Sequence, residues 1–130
     1  MSVSPTPAEA VIARRSAERA RLLGLARDFA DGLDPEIGVV AVVVFGSVAR
    51  GDFHEESDID VLVVATRLPG DPRGRLRALG DWPAPLEPVA LSPEEYRHQR
   101  GRRNPIAVEA EAVGVWLRGA STLTEGLRTG

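Results

Sequence analysis

Val39 to Phe45 is an unbroken apolar run rich in valine, and a second valine-rich stretch, entered by two acids, spans Asp58 to Ala65. Length and branched side chains predict strands in both places, the first of them covered on both faces. A strand buried on two sides needs a layer of structure over each. That predicts a mixed α and β domain around a small sheet.

The flanking elements follow from caps and periodicity. Thr6-Pro7-Ala8-Glu9 reads as a capping box with proline at the first helical position, and Leu22, Leu25, Ala26, Phe29 and Leu33 recur at helical spacing, predicting an amphipathic helix over 7–32. Asp34-Pro35-Glu36 predicts a turn. Gly46 and Ser47 begin a short helical turn that Gly51 closes, and Phe53-His54-Glu55-Glu56 makes a polar loop. Asp71-Pro72 offers a helix start, with Leu76 and Leu79 as its expected anchors. Leu86 to Leu91 predicts a third strand, placed at the sheet edge by Pro88, which has no amide hydrogen to donate. Ser92-Pro93-Glu94-Glu95 is a second capping box, opening a helix to about Gln99. Asn104-Pro105 opens another through Val113, and Gly114-Val115-Trp116-Leu117 predicts a last short strand. The expected organisation is one domain over 1–130, with a core at about 35–118 and a loosely ordered tail at 119–130.

A chain of 130 residues with a formal net charge of -3 has no basic surplus, which disfavours bulk nucleic-acid binding. The absence of cysteine excludes disulfide frameworks, thiolate metal sites and cysteine nucleophiles, and makes a cytoplasmic location the expectation. No leader-like N-terminus or run of about 18 apolar residues is present, so neither secretion nor a membrane span is expected. All sixteen basic residues are arginine. Genome base composition explains that more simply than phosphate recognition does, but the missing lysine excludes a Walker-type P-loop.

The chemistry is concentrated around the first two strands. Side chains alternate along a strand, so Asp58 and Asp60 point one way while Ile59, Val61 and Val63 point the other. Two adjacent carboxylates repel unless a cation sits between them, and magnesium, which prefers oxygen ligands and shares its shell with phosphates, is the natural candidate. Gly46-Ser47 supplies the complementary half: a strand-to-helix turn exposes backbone amides and the positive end of a helix dipole to an anion. The Ser47 hydroxyl is suited to capping the helix or holding a phosphate oxygen. Arg50 is placed either to reach a phosphate or to pair with Asp52 or a loop acid. Ser57 is placed to orient Asp58 or to satisfy local backbone. Arg100, Arg102 and Arg103 read as a solvated turn, Trp82 and Trp116 as core or rim anchors, and His54 and His98 as surface residues.

Gly46-Ser47, ten intervening residues and then Asp58-Ile59-Asp60 resemble the signature of the DNA polymerase beta-like nucleotidyltransferase superfamily. Gly46-Ser47-Val48-Ala49-Arg50-Gly51, with Asn104-Pro105 and Gly114-Val115-Trp116-Leu117, looks most like its minimal nucleotidyltransferase branch, over about residues 35 to 118. The resemblance implies an α/β (α+β) fold with a small mixed sheet of three to four strands flanked by helices. It implies a glycine-serine turn that binds the triphosphate of ATP or another nucleoside triphosphate, with Gly46, Ser47, Arg50 and Ser57 as the nucleotide-binding residues. It also implies three carboxylates holding two Mg2+ ions, with Glu87, the acid of the third strand, joining Asp58 and Asp60 as catalytic residues and metal ligands. Two positions depart from the family: Glu87 stands where aspartate is commoner, and Val48 where many members carry arginine.

The implied reaction is transfer of a nucleoside monophosphate, AMP from ATP, to a hydroxyl of a protein or small molecule with release of pyrophosphate. Larger relatives position the acceptor with a further domain, so here the missing surface is left to another subunit of a homo-oligomer or to a separate protein. Relatives of the minimal branch often occur beside small all-helical HEPN proteins, as antitoxins of a toxin–antitoxin pair. The competing readings are a non-catalytic module that neutralises such a partner by contact, and an aminoglycoside-type adenylyltransferase. An exposed apolar patch on the first or closing helices is expected for any partner-binding reading.

Overall fold

The computed structural model describes residues 4–54 and 57–119. Glu55, Glu56 and residues 120–130 of the expected tail lie outside the described residues. The first helix, α1 (Pro7–Asp31), starts where Thr6 Oγ1 accepts the Glu9 amide at 3.1 Å and the Glu9 carboxylate accepts the Thr6 amide at 3.2 Å. This reciprocal cap satisfies two amides that a first turn leaves unpaired. Burial along α1 starts only at Leu22 and continues through Leu23, Ala26, Phe29 and Ala30. In the preceding turns Val11 and Ile12 are 45% and 63% exposed. The expected turn at Asp34 is one 3-10 turn over Pro35–Ile37, capped by the Asp34 carboxylate on the Glu36 amide.

Four strands, β1 (Val39–Phe45), β2 (Ile59–Ala65), β3 (Leu86–Leu91) and β4 (Val115–Arg118), form one sheet in the order β3-β2-β1-β4. β1 pairs antiparallel with β2 and β4, and β2 pairs parallel with β3. β1 is therefore central and β3 lies at an edge, as the valine run and Pro88 predict. A five-residue helix, α2 (Gly46–Arg50), leads from β1 towards β2; α3 (Pro72–Ala78) crosses from β2 to β3; α4 (Pro93–Gly101) and α5 (Pro105–Val113) close the domain.

The two sheet faces carry separate cores. Val42, Val44, Ile59, Val61, Val63 and Leu86 meet α1 and α2 through Leu22, Ala26, Phe29 and Val48. On the other face Val43, Phe45, Leu62, Val64 and Leu91 meet α4 and α5 through Tyr96, Ala107 and Ala110. Full burial of each such valine is worth roughly 1.5–3 kcal/mol, so the register of β1 and β2 is fixed from both sides.

One anchor differs from expectation. Leu79 is buried at 3% exposure, but Leu76 is 40% exposed. The buried stripe of α3 runs through Gly74, Ala78 and Leu79, and Leu76 stands about 200° round the helix from Gly74. Among the described residues no helix is long and apolar enough to cross a membrane.

Candidate active site

Phe45 leaves β1 in an extended conformation and is the N-cap position of α2, with no side-chain cap on the helix. Gly46 then adopts a φ of +75°, a left-handed conformation that favours glycine. Ser47 lies inside the first turn of α2 and not at its cap. Helix capping, one of the two roles the sequence offers it, is not made. Gly51 closes α2 at φ +88°, its amide donating to the Ser47 carbonyl at 2.8 Å.

Asp60 lies on β2 opposite Phe45 of β1 on one side and Glu87 of β3 on the other. Alternation puts Asp60 on the face of Leu62 and Val64, and Glu87 on the face of Leu91. The glycine-serine turn and the acid meet directly: a Cβ at Gly46 would collide with the Asp60 carboxylate. Asp58 is exposed immediately before β2, and Glu87 is exposed on the edge strand.

Asp60 is half-buried, and its carboxyl is held above the usual aspartate range by burial first, then by the negative charges of Asp58, Glu109 and Glu87; Arg50 opposes the shift. Four acids therefore share one field. Glu109, on α5, was not singled out by the sequence reading. A signal was available: Ile106, Ala107 and Ala110 form the inward stripe of α5, and Glu109 sits at its border.

Arg50 joins these parts, donating from Nε to Asp52 at 3.2 Å and from Nη1 to Glu109 at 2.5 Å. Both pairs are more than a third exposed on the Arg50 side, so each is worth little to stability. Their effect is to hold the guanidinium between α2 and α5. Ser57 closes the acidic loop locally, its hydroxyl accepting the His54 amide at 2.7 Å.

The other singled-out residues lie outside this cluster. Arg100 pairs with Glu111 at 2.7 Å, while Arg102, Arg103, His54 and His98 are exposed. Trp82 packs edge-on against Phe29 with ring centres 6.4 Å apart, and Trp116 lies against the α4–α5 core.

The donor set suits a hard divalent cation. Asp58, Asp60 and Glu87 offer carboxylate oxygens alone, and the mutual repulsion felt at Asp60 is what such an ion would relieve. Among the described residues no three acidic or imidazole side chains are already gathered as an ion-holding group. Magnesium does not need one, because it is typically held by one or two carboxylates together with water and substrate phosphates.

The fold and part of the sequence are shared with known proteins. A candidate nucleotidyltransferase from Sulfolobus solfataricus has a similar fold, with a TM-score of 0.58 and 21% identity over 78% of this chain and 84% of that one. Two candidate protein adenylyltransferases of Methanocaldococcus jannaschii match over short segments. One is 57% identical over 28 residues, 22% of this chain and 28% of that protein. The other is 65% identical over 23 residues, 18% of this chain and 23% of that protein. These matches span less than a third of either relative's length. The nucleotidyltransferase domain model matches residues 26–111, a span containing the glycine-serine turn and all four acids, and the chain belongs to that family.

Proposed function

We propose that this chain is a magnesium-dependent nucleotidyltransferase that moves AMP from ATP onto a hydroxyl carried by a separate protein. The observation that carries this reading is the contact between Gly46 and Asp60, which leaves room for no side chain between them. A triphosphate lying on the turn would have the acid pair against it.

In the proposed reaction the acceptor oxygen attacks the α-phosphorus in line. A new P–O bond forms as the bond to the bridging oxygen of the β-phosphate breaks, and that oxygen leaves with its electron pair as pyrophosphate. The amides and hydroxyl of the Gly46-Ser47 turn hold the triphosphate. Arg50, whose fork suits phosphate oxygens, is poised beside it by Glu109. Glu87, in register with Asp60, takes the acceptor proton. Asp58, Asp60 and Glu87 would hold magnesium, which when bound neutralises charge on the transferred phosphoryl group and on pyrophosphate.

Two observations favour a protein acceptor: the candidate protein adenylyltransferases among the relatives, and the exposure of Val11 and Ile12 on α1 and of Val108 and Val113 on α5. A small all-helical HEPN-type partner, modified on a tyrosine hydroxyl in a toxin–antitoxin pair, is the acceptor this reading favours. The same exposed residues would serve a module that acts by contact alone. Incubation with magnesium and α-labelled ATP, with and without such a partner, separates the two. The enzyme is expected to label the partner, and Asp58→Asn and Asp60→Asn to lose the label. Absence of label with any partner bound, and neutralisation that survives both substitutions, would leave only contact.

A further inference from the structure

Helix α2 is five residues long, too short to fix its own axis, and the carbonyls of its last turn have no partner within it. One arginine of α1, Arg19, supplies two of those partners, and a second, Arg15, holds the chain just beyond the helix. Arg19 donates from Nε to the Val48 carbonyl and from Nη2 to the Ala49 carbonyl, both at 2.9 Å. One turn earlier on the same face of α1, Arg15 donates from Nη2 to the Phe53 carbonyl at 2.9 Å and to the Gly51 carbonyl at 3.2 Å. Its guanidinium also lies 4.8 Å from the centre of the Phe53 ring.

The place of this clamp is informative. It grips the end of α2 remote from Gly46, together with the start of the loop leading to Asp58. Arginine abundance does not account for it, because Arg21, the next arginine along α1, spends its guanidinium on Glu18 within the same helix at 2.6 Å. Planar guanidinium forks suit paired carbonyls, and their charge complements the negative end of the α2 dipole. A Cβ at Gly46 would already collide with the Asp60 carboxylate, so the place of α2 bears directly on that acid.

We propose that Arg19 and Arg15 are positioning residues for nucleotidyl transfer: by fixing the far end of α2 they set Gly46 and Ser47 over Asp60 without touching the nucleotide. This rests on the transfer reading above. The exposed first turns of α1 thereby become part of the site's support.

The test compares Arg19→Ala, Arg19→Lys and Arg15→Ala with Arg21→Ala in the full chain, below every variant's melting transition. Amide hydrogen exchange over residues 46–53, direct binding of magnesium-ATP and the KM and kcat of label transfer are measured together. Arg19→Ala is expected to speed exchange over 46–53 while β1 and β2 keep wild-type protection. It is also expected to weaken ATP binding and raise KM roughly tenfold or more, misplacement by about 1 Å being worth up to ~100-fold. Lysine, which cannot span both carbonyls, should rescue only in part, Arg15→Ala should show a smaller effect, and Arg21→Ala should match wild type. If Arg19→Ala melts earlier but keeps wild-type KM and ATP affinity, the clamp is merely structural and the proposal is overturned. Should Arg19→Ala fail to fold, Arg19→Lys and Arg15→Ala decide by the same readouts, and wild-type values in both overturn it. Wild-type protein that neither binds nor transfers nucleotide overturns the transfer reading itself, a result distinct from variants that behave like an active wild type.

Discussion

Replacing Gly46 with alanine combines two costs that a second glycine allows to be separated. The first is conformational: at φ +75° an L side chain enters the left-handed region, at about 1–2 kcal/mol. The second is local, because the new methyl carbon would fall on the Asp60 carboxylate, whose Cγ and Cβ lie only 3.2 and 3.4 Å away. Gly80 has a φ of +78° with nothing within 4 Å of an added Cβ, so Gly80→Ala carries the first cost alone. Unfolding entropy of about 0.27 kcal/mol/K for a chain of this length converts that cost into a Tm loss of about 4–7 °C. Both variants should lose at least this much, and Gly46→Ala should in addition force the acid to rotate. A shift of about 1 Å in a reacting constellation costs about 100-fold in rate. Circular dichroism melting gives the first quantity, and label transfer from ATP, measured well below both transitions, gives the second. If Gly46→Ala transfers as fast as Gly80→Ala, the turn and the acid do not act as one site and the reasoning fails.

Asp60 also makes a pH prediction. Its carboxyl is raised above the ordinary value of 3.8, so without metal the folded chain holds this proton more tightly than the unfolded chain does. The resulting stabilisation is complete below that value and is lost as pH rises through the raised one. Asp60→Asn should therefore melt above wild type at neutral pH in chelator, with the gap closing in acid; equal midpoints across the range would refute the crowding of charge. Glu87→Gln should lower kcat by roughly 100-fold or more, as for loss of a general base, with a smaller change in KM for ATP; a wild-type rate removes Glu87 from the site. Tyr96→Phe deletes the 3.2 Å bond from the buried hydroxyl to Glu111, which Arg100 still pairs at 2.7 Å. The expected loss is about 0.5–1.5 kcal/mol, with transfer unchanged, and a midpoint at or above wild type in a melting experiment would contradict it.

Local chemistry explains why so much of the fold was legible. Thr6 with Glu9, Ser92 with Glu95, Asp71 before Pro72 and Asn104 before Pro105 all cap the helices they announce. Each cap is written within four residues. Strand alternation likewise separates Asp58 and Asp60 from the valines by sequence alone. What stayed hidden depends on distant parts of the chain. The pairing of Glu87 with Asp60 is a matter of parallel register, which the family resemblance implies but for which neither strand carries a local signal. Periodicity places Arg15 and Arg19 on one face of α1, but not the carbonyls they meet. Glu109 reads as a solvated helix acid until α5 is laid over the sheet.

The sheet's connectivity has a consequence for the order in which the site is assembled. β1, α2 and β2 are contiguous from Val39 to Ala65 and pair antiparallel, so the glycine-serine turn and the first two acids arrive together through short-range closure. Glu87 joins only after the α3 crossover brings β3 into a parallel pair, a non-local event that closes more slowly. A chain caught between these events would already hold the glycine-serine turn and the first two acids without Glu87. Nucleotide that binds this early hairpin would favour completion of the sheet by mass action. Pulse-labelled exchange during refolding, with and without magnesium-ATP, should then show β3 amides protected sooner when nucleotide is present, whereas unchanged β3 timing would mean that the substrate recognises only the finished sheet.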